Sequence, residues 1–256
     1  MIKDGIDKIK ILLKRRKNAR KLKIDFTRAA KWQMPKTLLI NQKVVQLHLV
    51  DAANSNAAFI DVLLDDTYGL EFFKSRFGSI KNILDIGANQ GLFILAARNM
   101  FPQATIHSYE PNGALIPSLN HHSAFAVTSF FIEAVGRVNG RIKLQNDSGD
   151  SLMTKTVLTD EGTIRQVAIS TCLERMGGEV DLLKLDCEGA EWEILKDTET
   201  LKSVKAITLE YHLDNEHDHK SILSVLQAAN FKIISYGAAG PTWGMAWAIN
   251  KLYDAN

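Results

Sequence analysis

From Asn82 onward, short apolar runs alternate with segments whose apolar residues recur at helical spacing. Such runs are typical of buried parallel strands, and the segments between them are typical of helices that cover a sheet. The pattern predicts strands at 82–86, 104–109, 127–135, 180–186, 204–211, 230–236 and 243–250. It predicts helices near 91–100, 113–122, 170–176, 189–197 and 216–229. We therefore expect an α/β domain, a parallel sheet with helices on both faces.

The first 78 residues show a different pattern. Apolar residues at helical spacing, interspersed with lysine and arginine, predict a basic amphipathic helix over residues 6–23. Alternation over residues 37–50 predicts a hairpin that turns at Asn41-Gln42. Two further helices are predicted before Gly78. Tyr68, in the link between them, is expected either to reach a cofactor or to be an ordinary core or surface tyrosine. The chain thus divides into a mostly helical cap, 1–78, and a main domain, 79–256.

The alternation of strand and helix breaks between Gly140 and Ser170. Arg141–Gln145 and Arg165–Ile169 look like extra strands that bracket a polar loop, Asn146–Ser151. Long irregular insertions in compact domains are usually functional, so we expect this loop on the substrate side of a site.

Composition narrows the class of protein. With 256 residues, 46% apolar and 23% charged, the chain is expected to be a soluble globular protein with a substantial core. The net charge of +2 demands no polyanionic partner. The basic stretch 6–23 leaves contact with an anionic membrane surface as an alternative to packing on the main domain. The sequence has no run long enough to span a bilayer and no disulfide-type cysteine spacing, so we expect a cytoplasmic protein.

The strand at 82–86 leads directly into a glycine-rich turn, Gly87–Gly91, and then into a helix. Glycine lets a ligand approach the backbone, and a helix start offers unpaired N–H groups. A dinucleotide-binding fingerprint would need glycine where Asn89 and Leu92 stand. The pattern D-x-G-x-N-x-G from Asp85 resembles instead the first motif of class I S-adenosylmethionine (SAM) methyltransferases, with Asn89 tolerating left-handed φ. An ordinary strand–turn–helix is the alternative.

Acidic residues end the next two strands. Glu110, in Glu110-Pro111-Asn112, lies about 20 residues past the glycine turn, where a carboxylate accepts hydrogen bonds from both ribose hydroxyls. This placement suits NAD and SAM alike. Glu133-Ala134 is expected to border the adenine pocket, with Glu133 accepting from an exocyclic amine.

The most specific motif is KLDCEGAE, residues 184–191, in which an apolar strand ends with Asp186 and Glu188 at its carboxyl edge. DIGANQG, YEPN and KLDCEGAE, in this order, resemble the FkbM family of SAM-dependent O-methyltransferases over roughly residues 65–250. The resemblance implies a Rossmann-like class I methyltransferase fold with a seven-stranded, mostly parallel sheet. It also implies SAM as cofactor and a hydroxyl acceptor, often on a sugar or a natural product. The expected cofactor contacts are Asp85, Gly87, Ala88, Asn89, Gly91, Glu110, Pro111, Asn112, Glu133 and Ala134.

The strand after KLDCEGAE ends with Glu210-Tyr211-His212. Neighbouring strands lie about 4.8 Å apart, so the predicted catalytic residues Asp186, Glu188, Glu210 and His212 should converge at one rim. An alcohol must lose its proton as it attacks the methyl donor, and we predict His212 as the general base, with Asp186 and Glu188 positioning acceptor and cofactor. Alternatively, His212 binds a backbone carbonyl and the carboxylates cap the next helix.

Other classes of function remain open. An NAD-linked oxidoreductase or epimerase is disfavoured by Leu92 and by the lack of a Tyr-x-x-x-Lys pair. A nonenzymatic module on a methyltransferase scaffold is disfavoured by the complete set of acidic motif residues. Modification of nucleic acid is not expected, because no N/D-P-P-Y/F element is present. No metal site is predicted, since His217 and His219 lack a defined third ligand. The sequence determines neither the acceptor nor the oligomeric state.

Overall fold

The computed structural model describes residues 2–26, 32–50, 55–145, 155–159 and 161–254. The strands are β1 (Thr37–Ile40), β2 (Lys43–Gln46), β3 (Asn82–Ile86), β4 (Thr105–Tyr109), β5 (Ser129–Phe131), β6 (Ala134–Gly136), β7 (Gly140–Gln145), β8 (Lys155–Leu158), β9 (Ile164–Ala168), β10 (Val180–Leu185), β11 (Val204–His212), β12 (Phe231–Ala238) and β13 (Trp243–Asn250). The α-helices are α1 (Ile2–Lys21), α2 (Ser55–Phe59), α3 (Leu70–Phe77), α4 (Leu92–Met100), α5 (Ile116–Ala126), α6 (Ile169–Arg175), α7 (Glu191–Leu195) and α8 (Ser221–Ala228). A π-helix, Ile60–Leu64, continues α2, and 3-10 turns lie at Gly113–Leu115, Thr200–Ser203 and Lys251–Tyr253.

Seven strands form the central sheet in the order β12-β13-β11-β10-β3-β4-β5. The pairs from β11 to β5 are parallel, whereas β13 is antiparallel to both β11 and β12. Only a short connection separates β12 from β13, and a connection of that length joins antiparallel strands. The predicted seven-stranded, mostly parallel sheet is confirmed.

Alternation along the strands separates two apolar layers. Leu182 packs in a core with α3, α4 and the β1–β2 hairpin, while its neighbour Leu183 packs in a second core with α6, α7 and α8. Successive side chains of a strand point to opposite faces, so the two cores lie on opposite sides of the sheet. Helices therefore cover both faces, as predicted.

The N-terminal region packs directly on the sheet. Phe59, Tyr68 and Phe73 belong to the same buried cluster as Ile83 and Leu182. The predicted boundary after residue 78 therefore falls inside one shared core. The hairpin turns at Asn41 and Gln42 as predicted, and both residues have positive φ, 47° and 63°, which matches the twist of the flanking strands.

The predicted strand 127–135 is wrong in one respect, because the chain divides it into β5 and β6. Strand β5 pairs with β4 in the central sheet, whereas β6 pairs with β9 in a second, four-stranded sheet in the order β6-β9-β7-β8. Glu133, between them, is paired with Arg165 and Arg175, which lie at the inserted sheet and on α6. Strands β7 and β9 confirm the two extra strands predicted in the insertion. The polar loop 146–151 lies outside the described residues.

The predicted helix 216–229 is shorter in the structure, because α8 begins at Ser221. Asp218 Oδ1 accepts from the backbone N–H groups of Lys220 and Ser221, and Asp214 Oδ1 accepts from those of Glu216 and His217. These local bonds hold the preceding segment in turns, as aspartate side chains commonly do. Among the helices of the described ranges, none is long and apolar enough to cross a membrane.

Candidate active site

A cavity of about 430 Å³ opens at the carboxyl ends of β3, β10 and β11. Ligands of open α/β sheets bind at this edge. The glycine turn lines one side of the cavity, and the ends of β10 and β11 line another. The N-terminal region contributes Ala57, Asp61 and Tyr68, so the cap forms part of the wall.

Packing within the fold explains the first glycine of the turn. Gly87 has φ +80°, and a Cβ atom there would lie 1.6 Å from the carbonyl oxygen of Asp186. The N–H groups of Gly87 and Ala88 donate to the carbonyl oxygen of Tyr109, at 2.9 and 3.0 Å. Asn89 has φ +48°, which confirms the predicted left-handed conformation. The turn is therefore held between the ends of β4 and β10 before any ligand binds.

Glu110 joins the glycine turn to the segment after β4. Its Oε2 accepts from the N–H of Asn89 at 2.9 Å, and its Oε1 accepts from the N–H of Asn112 at 2.8 Å. Burial raises the pKa of Glu110, although these backbone bonds oppose the shift. A carboxylate oxygen has two lone pairs, so Glu110 retains acceptor capacity for ribose hydroxyls. Its cofactor contact, with those of Pro111 and Asn112, stays a prediction.

Asp85 is fully buried, and Lys184, which contacts it, lines the cavity. The Nζ atom of Lys184 lies 3.4 Å from Asp85 Oδ1 and 3.3 Å from Asp186 Oδ2, and it donates to the carbonyl oxygen of Gly87. Burial lowers the pKa of Lys184, but the two carboxylates outweigh it and raise the pKa above its usual value. Sequence reasoning missed Lys184 as a site residue. A lysine inside the apolar strand LLKL was the available indication.

Asp186 is held from two sides. Tyr68 donates its hydroxyl to Asp186 Oδ2 at 2.7 Å, and Lys184 approaches the same oxygen. Tyr68 is 7% exposed, and burial raises its pKa well above the usual value, so it remains a neutral donor. Tyr68 is thus a core residue that also lines the cavity. Its contact with a cofactor stays a prediction.

His212 is surrounded by three carboxylates. Its Nε2 lies 3.4 Å from both Glu188 Oε2 and Glu210 Oε1, and its Nδ1 lies 3.4 Å from Glu191 Oε1. Burial lowers the pKa of His212, but hydrogen bonding and charge from these carboxylates outweigh it and raise the pKa to about 11. The imidazole is therefore protonated at neutral pH.

Glu188 has an unusual backbone as well as a shifted pKa. Its φ is +56°, a conformation that costs energy for a residue with a side chain and that is concentrated at functional sites. Burial raises the pKa of Glu188 to about 7, and burial also raises the pKa of Glu210. The carboxylate that caps the following turn is Glu191, where the alternative interpretation expects Asp186 or Glu188; Glu191 accepts from the N–H groups of Cys187 and Gly189 at 2.7 and 2.8 Å.

Glu133 lies away from this cavity and is already paired. Its carboxylate is 3.2 Å from Arg165 and 2.5 Å from Arg175, whose guanidinium lies 4.7 Å from the ring centre of Phe131. The adenine contact predicted for Glu133 and Ala134 stays a prediction. Of the predicted residues, the cavity lining brings together Gly87, Ala88, Asn89, Asp186, Glu188, Glu210 and His212. It does not include Asp85, Gly91, Glu110, Pro111, Asn112, Glu133 and Ala134.

A second cavity, of about 460 Å³, adjoins the first. Its walls come from Gly136–Val138, Gln166 and the segments after β10 and β11. Glu188 and His212 line both cavities and form the partition between them. A group bound in either cavity therefore meets the same carboxylate and imidazole.

Ligand atoms of Asp186, Glu188 and His212 lie within 4.8 Å of one another, a spacing at which a metal ion could bind. Internal cations lie beside both carboxylates, since Lys184 Nζ is 3.3 Å from Asp186 and His212 Nε2 is 3.4 Å from Glu188. The other two histidines of the segment bind elsewhere, because His217 stacks on Trp192 and His219 contacts Tyr211. Metal independence stays a prediction.

The charged residues that line the first cavity suit SAM as a ligand. In the described part of the chain, the first cavity presents Asp61, Asp186, Glu188 and Glu210 against Lys184 and His212. An excess of carboxylates complements a ligand that carries a sulfonium and an ammonium group. Together with the seven-stranded sheet, this site defines a class I SAM-dependent methyltransferase.

Sequence comparison gives the family. Residues 85–233 match the Methyltransferase FkbM domain, and the chain belongs to that family. SAM is its cofactor, so the NAD-linked alternative is wrong. None of the curated proteins is significantly similar to this chain in sequence.

Solved structures of methyltransferases and of an RNA-processing protein are similar to this chain at low identity. Magnesium protoporphyrin IX methyltransferase from Synechocystis PCC 6803 with bound SAM is 10% identical, with a TM-score of 0.48 over 79% of this chain and 85% of that one. An O-methyltransferase family protein from Burkholderia thailandensis is 13% identical, with a TM-score of 0.43 over 78% of this chain and 60% of that one. The fibrillarin pre-rRNA processing protein of Methanococcus jannaschii is 16% identical, with a TM-score of 0.44 over 66% of each chain.

Proposed function

We propose that the protein transfers a methyl group from SAM to a hydroxyl group of a sugar, glycan or natural-product acceptor. The supporting observation is the cluster of Glu188, Glu210 and His212 in the cavity that the glycine turn also lines. When bound, SAM supplies a methyl group on a cationic sulfur. An alcohol is a poor nucleophile until a base removes its proton, and a carboxylate at this position meets that need.

We propose Glu188, in place of His212, as the group that accepts the proton. His212 was the predicted base, but a pKa near 11 leaves it protonated and unable to accept at neutral pH. Glu188, with a pKa near 7, is ionised in about half of the molecules at neutral pH. His212 then acts as a positioning residue that holds the ionised Glu188 through their 3.4 Å contact.

The partition formed by Glu188 and His212 also suggests where each substrate binds. We place SAM in the cavity next to Gly87–Asn89 and the acceptor in the second cavity. In the second cavity Gln166, Glu193 and Asp214 offer oxygen acceptors, which suit the several hydroxyl donors of a sugar. Cytoplasmic location and the absence of a nucleic-acid partner remain expectations.

Methyl transfer from labelled SAM to a panel of sugars, glycosides, phenols and amines tests this proposal. We expect label on hydroxyl acceptors, and we expect Glu188→Gln to lower kcat by about 100-fold or more while the Kd for SAM stays within about threefold. Glu199→Gln is the matched control, because Glu199 is 79% exposed and pairs only with Lys202 among the ion pairs described.

The pH profile separates the two candidate bases. An essential carboxylate must be ionised, so the rate should rise as the pH passes about 7 and then level off.

Two outcomes would contradict these proposals. Labelling of amines without any labelling of hydroxyls would contradict O-methylation. If Glu188→Gln kept a kcat within about threefold of the parent and His212→Ala were inactive, His212 would be the general base instead.

A further inference from the structure

Helix α1 exposes large apolar side chains on a basic helix. Ile9 is 59% exposed, Leu13 is 58% exposed and Ile11 is 47% exposed. In the C-terminal half of the helix the side opposite Ile9 is packed on the protein, since Asn18 and Ala19 are buried and the Asn18 amide donates to the carbonyl oxygen of Leu64 at 2.9 Å. Ile11, seven residues before Asn18, lies on the same side as Asn18 but precedes this packed stretch and is exposed. The helix is therefore fixed in orientation, with one side turned away from the protein.

The helical repeat puts the exposed residues in register. Ile9 and Leu13 are four residues apart and lie on one side of α1, and Arg20, seven residues after Leu13, lies on the same side. Asn18 lies half a turn away from Ile9 on the packed side. The outward side thus begins with apolar residues and ends with a cation.

Charge is concentrated on the same helix. Residues 2–21 include nine lysines and arginines and two aspartates, a net charge of +7. Because the whole chain carries a net charge of +2, the remaining residues carry a net −5. Arg15 and Lys21 fasten α1 to the protein through Asp65 and Glu71, each at 2.6 Å. The excess positive charge of this protein is therefore carried by α1.

We propose that the outward side of α1 docks on the surface of an anionic lipid bilayer. Ile9 and Leu13 would enter the boundary between headgroups and acyl chains, and the surrounding lysines and arginines would contact lipid phosphates, as interfacial amphipathic helices do. A nucleic acid would use the cations but not the exposed apolar side chains. A second copy would bring two strongly positive helices together, which like-charge repulsion opposes.

Helix α1 packs on an element that lines the cavity of about 430 Å³. The C-terminal half of α1 packs on the π-helix Ile60–Leu64, and Asp61 and Val62 of that π-helix line the cavity. The membrane contact and the active site are thus joined by one short element.

Flotation of the full chain with large vesicles tests the proposal. We expect binding to phosphatidylcholine vesicles that contain phosphatidylglycerol, weaker binding at high salt, and no binding to phosphatidylcholine alone. The double substitution Ile9→Ser with Leu13→Ser should weaken binding at least tenfold. Val44→Ser is the matched control, because Val44 is 70% exposed on β2 and should leave binding within twofold.

A second measurement detects membrane contact as a spectroscopic change and does not require a variant that loses vesicle binding. With Ile9→Trp, tryptophan emission should shift to the blue on addition of anionic vesicles, while the SAM affinity stays that of the parent. Failure of the parent to bind anionic vesicles would overturn the proposal. The proposal would also be overturned if the double variant bound anionic vesicles as tightly as the parent does. It would likewise be overturned if the parent did not bind vesicles but self-associated, and the double variant lost that self-association. Equally tight binding of RNA by the parent and the double variant, without vesicle binding, would assign α1 to nucleic acid instead.

Discussion

Lys184→Met removes the only ammonium group that the structure places against Asp85 among the described residues. Methionine is one heavy atom shorter than lysine, so the substitution keeps an unbranched apolar stem and deletes the charge. Asp85 has no exposed surface, and its Oδ1 relies on the 3.4 Å contact with Lys184 Nζ. Ser108 donates only to the other oxygen, at 3.3 Å. The substitution therefore leaves the carboxylate of Asp85 buried without its cation.

The expected cost follows from this burial. Breaking a buried ion pair by removing one partner costs roughly 3–5 kcal/mol, because the remaining charge stays buried and unpaired. Asp186, the second partner of Lys184, has a side chain that is 23% exposed and also binds Tyr68, so it adds less. We therefore expect Lys184→Met to lower the free energy of unfolding by about 3 kcal/mol or more.

Urea unfolding at constant pH measures this loss. The double variant Lys184→Met with Asp85→Asn should recover at least about 1 kcal/mol relative to Lys184→Met, since it removes the stranded charge. Lys202→Met is the control, because Lys202 is 55% exposed in a surface pair and should cost less than about 1 kcal/mol. A Lys184→Met loss as small as that of the control would refute the reasoning.

The pH dependence of the same variant has a defined sign. Burial already raises the folded-state pKa of Asp85, with Lys184 opposing the shift, so loss of Lys184 raises that pKa further. A raised folded pKa means that the folded state binds the proton more tightly than the unfolded state. Stability then falls as the pH rises from the unfolded pKa to the folded pKa. The deficit of Lys184→Met should therefore be smaller at pH 5 than at pH 8.

Three further predictions test the cavity. Gly87→Ala should abolish SAM binding in calorimetry and lower Tm, because its Cβ would meet the Asp186 carbonyl; Gly78→Ala is the control, with a similar φ of +71° and no described atom within 4 Å. Tyr68→Phe should lower kcat/KM by about tenfold or more through loss of the hydrogen bond to Asp186, with Tm showing whether the fold is retained. Exhaustive EDTA treatment should leave activity unchanged, and restoration by Mg²⁺ of activity lost to EDTA would establish the metal site that we do not expect.

Local pattern was sufficient where a property depends on neighbours in the chain. The order of strands and helices, the left-handed Asn89 and the hairpin turn at Asn41 all follow from residue type and spacing. The convergence of Asp186 and His212 also follows, because parallel strands end at one edge of a sheet.

Predictions from local pattern were wrong or incomplete where segments distant in the sequence contact the residues concerned. The apolar run 127–135 indicates one strand, but only the inserted sheet and its arginines decide that the chain divides at Glu133. The loop glycine was attributed to ligand approach, yet contact with the Asp186 carbonyl already excludes any side chain at position 87.

The sequence by itself determined the family, the donor and the edge of the sheet where chemistry takes place, because motifs and periodicity are written in consecutive residues. Only the tertiary structure decided which groups carry the protons and which face the solvent. The pKa of His212 depends on three carboxylates from two segments of the chain, and the lysine that supports Asp85 comes from a neighbouring strand. The exposure of Ile9 depends on which side of α1 packs against Leu64, and helical spacing alone cannot specify that side.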